Sequence, residues 1–123
     1  MAELSELERA CLKRYVLLLR ERLGRRLLAV RMFGSAARGD MWPEGSPLHS
    51  DIDLLVVTAE EVGQAEQDEL IDETYPLYLE CGRQLSPYFF SEVRLRAPAG
   101  ERERAFLTEI GRDLRPVWQR EVS

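Results

Sequence analysis

Asp51 and Asp53 stand two residues apart at the head of an otherwise apolar run, Ile52-Leu54-Leu55-Val56-Val57. In an extended strand, residues two apart project from the same face, so the two carboxylates share a side. Adjacent like charges raise each other's affinity for protons, and keeping both ionised calls for a cation. Mg²⁺ suits that role, because it takes hard oxygen ligands and shares its shell with substrate phosphates. The plainer alternative is a strand start in which one Asp caps a loop and the other is solvated. Upstream, Phe33-Gly34-Ser35-Ala36-Ala37-Arg38-Gly39-Asp40 follows a second apolar run. Gly34 permits a sharp turn and a close approach to the backbone. Ser35 brings a hydroxyl and can start a short helix whose exposed amides favour an anion. Arg38 adds a charged donor suited to phosphate. Here the plainer alternative is a tight turn with a capping Ser.

Other residues that could do chemistry carry weaker signals. His49, the only His, lies beside the acids and is read first as a surface loop residue, with a general-base role as the sharper alternative. Cys11 and Cys81 show no metal-type spacing and are read as reduced thiols. Tyr75, Tyr78, Tyr88, Phe89 and Phe90 are expected to form core and partner-facing surface rather than a base-stacking platform. The acidic stretch from Glu60 to Glu73 is expected to be a solvated helix face.

The elements that must position the two motifs follow from periodicity. Ser5 and Glu8 have the spacing of a capping box. Leu12, Val16, Leu19 and Leu23 recur at helical intervals up to Gly24, which predicts a helix from Ser5 to Leu23. Leu27 to Phe33 reads as a strand. The stretch from Gly39 to Ser50, with Pro43, Gly45 and Pro47, reads as a loop holding Trp42 as a local anchor. Asp51 to Val57 reads as a buried strand. Thr58 and Glu61 have capping spacing for a helix over much of Val62 to Cys81, with Pro76 expected to kink or end it. Gln84 to Ser91 reads as a strand that Pro87 confines to an edge or a bulge. A last helix is expected over Glu101 to Leu114, and Arg115 to Ser123 as a tail. Helix, strand, strand, helix, strand, helix implies a small α/β (α+β) domain, a mixed sheet flanked by helices.

A chain of 123 residues is expected to form a single domain over 1–123, with room for one modest core. A net charge of −5 argues against broad nucleic-acid binding, which needs a basic surface. No run approaches the ~20 apolar residues of a membrane span, and the acidic start from Met1 to Leu12 lacks a signal-peptide pattern. The expected location is therefore cytoplasmic.

Gly34-Ser35 after a strand, then a loop, then Asp51-Ile52-Asp53 opening the next strand is more specific than either motif alone. The pattern resembles the DNA polymerase β-like nucleotidyltransferase superfamily. Within it the chain looks like the stand-alone prokaryotic minimal nucleotidyltransferases. Looser likeness continues through Leu85-Ser86-Pro87-Tyr88-Phe89-Phe90-Ser91 and Phe106-Leu107-Thr108-Glu109-Ile110. The resemblance implies a nucleotidyltransferase fold in which Gly34, Ser35 and Arg38 hold the triphosphate and Asp51 and Asp53 hold Mg²⁺. It implies ATP as the nucleoside triphosphate that serves as substrate, and AMP as the group transferred. It also implies a separately encoded helical partner of the "higher eukaryote and prokaryote nucleotide-binding" (HEPN) class, modified by this chain as the antitoxin of a toxin–antitoxin pair.

Two departures from the family pattern stand out. The loop before Asp51 is long, and the later strand lacks the third carboxylate that active members usually carry. Gln84 or Ser86 falls at its place, with Glu80 and Glu92 flanking the strand. A second reading therefore stands beside the enzyme: a weak or inactive nucleotide-binding module that regulates a helical partner by contact. A third is an antibiotic nucleotidyltransferase, for which the chain is short. A homo-oligomer is left open.

Overall fold

The structure, a computed structural model, describes residues 4–39 and 51–121. The expectations placed on Asp40, Trp42, His49 and Ser50 lie outside the described residues.

The chain begins with helix α1 (Glu6–Leu23), capped as its sequence dictates. The Ser5 hydroxyl oxygen accepts the Glu8 amide at 3.1 Å, and a Glu8 carboxylate oxygen accepts the Ser5 amide at 2.8 Å. A single 3-10 turn over Gly24–Arg26 leads into strand β1 (Leu27–Phe33), and β1 leads directly into a five-residue helix α2 (Gly34–Arg38). Strand β2 (Ile52–Thr58) follows, then α3 (Gln64–Asp72), α4 (Thr74–Cys81), β3 (Leu85–Ser91), α5 (Glu92–Arg96), α6 (Glu101–Ile110) and β4 (Arg115–Gln119).

The four strands form one mixed sheet in the order β3-β2-β1-β4. β1 runs antiparallel to both β2 and β4, and β2 runs parallel to β3. The parallel pair needs a crossover, and α3 with α4 supplies it. Pro87 lies in β3, an edge strand, as its missing amide requires.

The period of two in β2 divides the core between the two faces. Ile52, Leu54 and Val56 join the larger cluster, with Tyr15, Leu19 and Leu23 of α1 and Leu70, Leu77 and Cys81 of α3 and α4. Leu55 and Val57 join a smaller cluster with Ala29, Phe33, Phe90 and Ile110, against which Phe106 and Leu107 of α6 pack. Asp53 has the parity of Leu55 and so belongs to this thinner face. The thick face is tied by polar contacts as well: the fully buried Tyr15 donates its hydroxyl to the Leu70 carbonyl at 2.8 Å.

Four sequence expectations are corrected. The stretch from 115 to 119 is a strand rather than a tail, because the free side of β1 offers it a ladder and Trp118 packs on the larger core. The Val62–Cys81 helix is two helices that break at Glu73, not at Pro76. Pro76 sits in the first turn of α4, where amides lack an intrahelical acceptor in any case. Thr58 caps no helix: it ends β2, buried, and its hydroxyl donates to the Glu60 carbonyl, while Gly63 precedes α3. The last helix stops at Ile110, and the extra helix α5 follows β3 directly, with the Ser91 hydroxyl accepting the Arg94 amide at 3.2 Å.

Cys11 and Cys81 are buried free thiols, as expected. Burial and the neighbouring Cys81 push the Cys11 thiol up to about 11. No helix among the described residues is long and apolar enough to cross a membrane.

Candidate active site

Phe33 ends β1 in extended conformation, and Gly34 then turns at φ +72° to open α2. That positive φ favours glycine, and the surroundings demand it as well. A Cβ at Gly34 would lie 2.8 Å from the Oδ2 atom of Asp53. The register explains the approach, because Phe33 and Asp53 are cross-strand partners in the β1–β2 ladder. The two motifs, well separated in the sequence, thus meet at one point: a carboxylate rests over a backbone turn that has no side chain.

Asp51 and Asp53 lie at the N-terminal end of β2, the first exposed and the second half-buried. Burial raises the Asp53 pKa first, and the charge of Asp51 adds to it, so that the carboxyl is pushed up to about 6. In the parallel ladder Asp53 is the partner of Ser86. The Ser86 hydroxyl donates to Oδ2 of Asp51 at 2.9 Å.

The candidates for the place of a third acid lie at different distances from the pair. Ser86 occupies the place on β3 beside the pair. Gln84 turns away, its amide donating to the Thr74 hydroxyl at 2.9 Å and to the Leu85 carbonyl at 2.8 Å. Glu80 is ion-paired with Arg14 on the α1–α4 side. Glu92 opens α5, beyond the opposite end of β3 from Ser86. Among the described residues no group of three His, Cys, Asp or Glu is gathered as a metal cluster.

Helix α2 is fixed at its far end by Asp113 and Arg115, for which the sequence predicts a last helix and a tail. Arg38 donates to the Asp113 carboxylate at 3.0 Å, and the Arg115 guanidinium donates to the Ala37 carbonyl at 3.1 Å. Arg38 therefore braces the helix against the turn after α6 in this conformation. Ser35 lies one residue after Gly34 in the first turn of α2, half-buried.

Tyr88 was the site neighbour least visible in the sequence. It follows Ser86 by two residues and so points to the same face. Its ring lies 5.5 Å from that of Phe33 and 5.5 Å from that of Phe106. Its phenol is raised by burial and then by the charges of Asp53 and Asp51, which marks how close the rings stand to the acids. Only the two-residue offset from Ser86 hinted at this.

The donors gathered here are two carboxylates and one hydroxyl, all hard oxygens. That set fits Mg²⁺, which is commonly held by one or two carboxylates plus substrate phosphates.

Comparison with known proteins agrees with the motif. The family model described as the nucleotidyltransferase domain matches residues 12–86. No curated protein matches the sequence. Among solved structures, a toxin–antitoxin complex with AMP-PNP is similar at TM-score 0.59 and 16% identity, covering 89% of this chain and 74% of that one. A tri-AMPylated Shewanella oneidensis HEPN toxin in complex with MNT antitoxin is similar at TM-score 0.57 and 16% identity, covering 90% and 71%. The toxin–antitoxin MntA–HepT is similar at TM-score 0.56 and 16% identity, covering 90% and 72%. At such identities the structural likeness speaks for the fold, and the match over 12–86, which takes in both motifs, speaks for the family: this chain belongs to the nucleotidyltransferase domain family.

Proposed function

We propose that the chain is a Mg²⁺-dependent nucleotidyltransferase that moves AMP from ATP onto a separately encoded helical protein of the HEPN class, as the antitoxin of such a pair. The observation that carries this reading is the contact between Asp53 and the Gly34 turn, which sets a carboxylate pair against a backbone able to receive phosphate. The fold-level neighbours support the choice of nucleotide and partner. They include a toxin–antitoxin complex with AMP-PNP and an AMPylated HEPN toxin with its MNT antitoxin.

Asp51 and Asp53 would hold Mg²⁺, which when bound neutralises charge on the transferring phosphates. The amides and hydroxyl at Gly34 and Ser35 receive the triphosphate. Arg38, on the same short helix, exchanges Asp113 for an outer phosphate oxygen. The acceptor oxygen bonds to the α-phosphorus as the bond to pyrophosphate breaks. With a hydroxyl at Ser86, β3 offers no carboxylate to take the acceptor's proton, which passes to solvent water instead, so the expected transfer is slow.

That same serine favours the second reading, a nucleotide-binding module that restrains its partner by contact. The test is the intact mass of the helical protein encoded beside this chain after incubation with the chain, ATP and Mg²⁺. A gain of AMP units, absent with Asp51→Asn/Asp53→Asn, supports transfer. A stable complex without mass gain rejects transfer and leaves the binding module.

A further inference from the structure

Beyond the acid pair, the thin face of the sheet carries an open apolar shelf of about 300 Å³, lined by Tyr88, Phe90, Arg102, Glu103 and Phe106. Its floor is a set of aromatic rings in mutual contact. Phe33 meets Phe106 edge-on at 5.9 Å, and Phe90 stacks on Phe106 at 6.0 Å with an interplanar angle of 18°. Tyr88 is 41% exposed, so part of its ring faces solvent rather than the core. A core aromatic would be covered, and a solvated tyrosine would not be built into a four-ring cluster.

The polar groups at the rim are unevenly committed. Glu103 is bound by the Arg94 guanidinium at 3.1 Å and also accepts the Ala99 amide at 2.7 Å. Arg94 in turn lies over the Phe90 ring at 4.5 Å, closing the side away from the acids. Arg102, exposed on the first turn of α6, is the cation that lines the shelf itself.

The position of the shelf relative to the acids is fixed by register. Asp53 pairs with Ser86 and Leu55 with Tyr88 along one ladder. The shelf therefore starts one two-residue repeat from the acids, ~7 Å by strand geometry. Phe33, which supports the Tyr88 ring, is joined by a peptide bond to Gly34 of the phosphate turn. A ligand with phosphates at that turn and a planar apolar end, joined by a short spacer, matches both parts.

We propose that the Tyr88–Phe106 shelf is the subsite for the nucleobase of the triphosphate, which stacks on the Tyr88 ring and is covered from the side by the Arg102 guanidinium. The proposal rests on the reading of the Gly34–Asp53 site as a nucleotide site. It revises the expectation that the aromatic cluster is only core and partner surface: Phe89 and Phe90 are buried, Tyr75 and Tyr78 lie exposed on α4, and Tyr88 is the one of the five that lines the shelf with its ring open to a ligand. Every base presents a π-face, so stacking on an aromatic ring holds any base with little regard to its identity. The shelf is lined with rings and a delocalised cation, and its carboxylate, Glu103, is already taken by Arg94 and the Ala99 amide. Selection among bases is therefore by stacking area, with purine triphosphates held more tightly than pyrimidine ones, and ATP little different from GTP.

The experiment is calorimetric titration of the full chain with two probes in Mg²⁺: the non-hydrolysable ATP analogue AMP-PNP and inorganic tripolyphosphate, which has phosphates and no base. Tyr88→Leu keeps an apolar side chain on β3 and removes the ring. The expected result is a loss of about tenfold in affinity for AMP-PNP with tripolyphosphate binding unchanged, and Arg102→Gln, on an exposed helix position, is expected to lose less in the same pattern. Equal losses for both probes would show that Tyr88 merely shapes the phosphate site, and unchanged binding of both would empty the shelf of any role in nucleotide binding. Unchanged AMP-PNP binding with impaired modification of the partner would assign the shelf to the acceptor's side chain and overturn the proposal. If wild-type chain binds tripolyphosphate but Tyr88→Leu does not alter AMP-PNP, the base subsite fails and the phosphate site stands. If wild-type chain binds neither probe, both readings fall.

Discussion

Two acidic side chains, one on each side of the sheet, are held in opposite ways. On the thick side, Glu8 is buried and fully engaged: one oxygen accepts the Ser5 amide, the other the Nε atom of Arg83 at 2.7 Å, and Arg83 is itself buried. Burial by itself raises the Glu8 pKa, but the Ser5 amide and the Arg83 guanidinium together pull it below the usual carboxylate range. On the thin side, Asp53 is half-buried against Gly34 with Asp51 as its charged neighbour, and its pKa rises to about 6. The first arrangement favours the carboxylate and secures the fold. The second penalises it, and such opposed pressures gather where a site is made ready for a cation or a proton. The contrast separates the acid that holds the structure from the acids that the proposed function assigns to the chemistry.

The largest effect is expected from breaking the satisfied pair on one side only. Arg83→Leu leaves Glu8 buried without its guanidinium, and removing one partner of a buried pair costs about 3–5 kcal/mol. Urea unfolding followed by circular dichroism should show the midpoint fall accordingly. Glu8→Gln combined with Arg83→Leu keeps the acceptor for the Ser5 amide and removes the stranded charge, so it should recover much of that loss. A double variant as unstable as Arg83→Leu would show that the pair matters for packing rather than for charge.

Next comes the turn at the acid pair. Gly34→Ala places a β-carbon at φ +72° and 2.8 Å from the Asp53 carboxylate. The left-handed conformation alone costs about 1–2 kcal/mol, and the clash adds to it. Combining Gly34→Ala with Asp53→Gly should cost less than the sum of the two single changes, because the clash is then gone while the backbone penalty remains. Strict additivity in thermal melts would mean that the carboxylate moves aside freely and that the close approach is incidental.

How far the sequence disclosed these two regions differs, and the reason is physical. The capping box that gives Glu8 its first partner is local, three residues in span, and was readable; Arg83 lies 75 residues away and was not. Asp51 and Asp53 could be placed on one face from the strand period alone, and Gly34 could be marked as a point of close approach. That the approaching group is Asp53 required the β1–β2 register. That Ser86 rather than Gln84 or Glu80 stands beside the pair required the parallel β2–β3 register, which no local pattern encodes. Strand β4 escaped notice because it is short, contains Pro116 and is mostly polar or exposed. Its stability comes from the ladder with β1 and from Trp118, not from its own propensity.

A smaller effect, of opposite sign in the two regions, is expected on titration. Asp53 has a folded pKa of about 6, above the ordinary value of 3.8, so its ionisation destabilises the fold. That cost sets in as pH rises from about 4 and is complete above about 6. Glu8 has a folded pKa below 4.5, so its stabilising contribution is present above that value and is lost as pH falls through the folded pKa. In chelator, Asp53→Asn should therefore be more stable than wild type at pH 7 and lose that advantage near pH 4. The expected gain is under about 1 kcal/mol, since solvent screens a half-exposed group. Thermal melts across that range would read the difference. A variant less stable than wild type at pH 7 would show that the Asp53 carboxylate is held by attractive contacts.

The smallest effect is reserved for an acid that belongs to neither arrangement. Glu80 pairs with Arg14 across α1 and α4, where both side chains are about half exposed to water. Exposed pairs of this kind contribute between zero and about 1 kcal/mol, because water screens the attraction and two long side chains must be ordered to make it. Glu80→Gln should therefore shift the melting midpoint little and leave nucleotide binding and partner modification untouched. Its value lies in what a large effect would mean. Glu80 flanks β3 and is one of the acids whose place in the sequence would let it replace the third carboxylate, yet its side chain engages α1 on the far side of the sheet from Asp53. A sharp loss of transfer in Glu80→Gln, with melting unchanged, would require α4 to reorient during the reaction and bring a third acid to the pair that this conformation keeps apart.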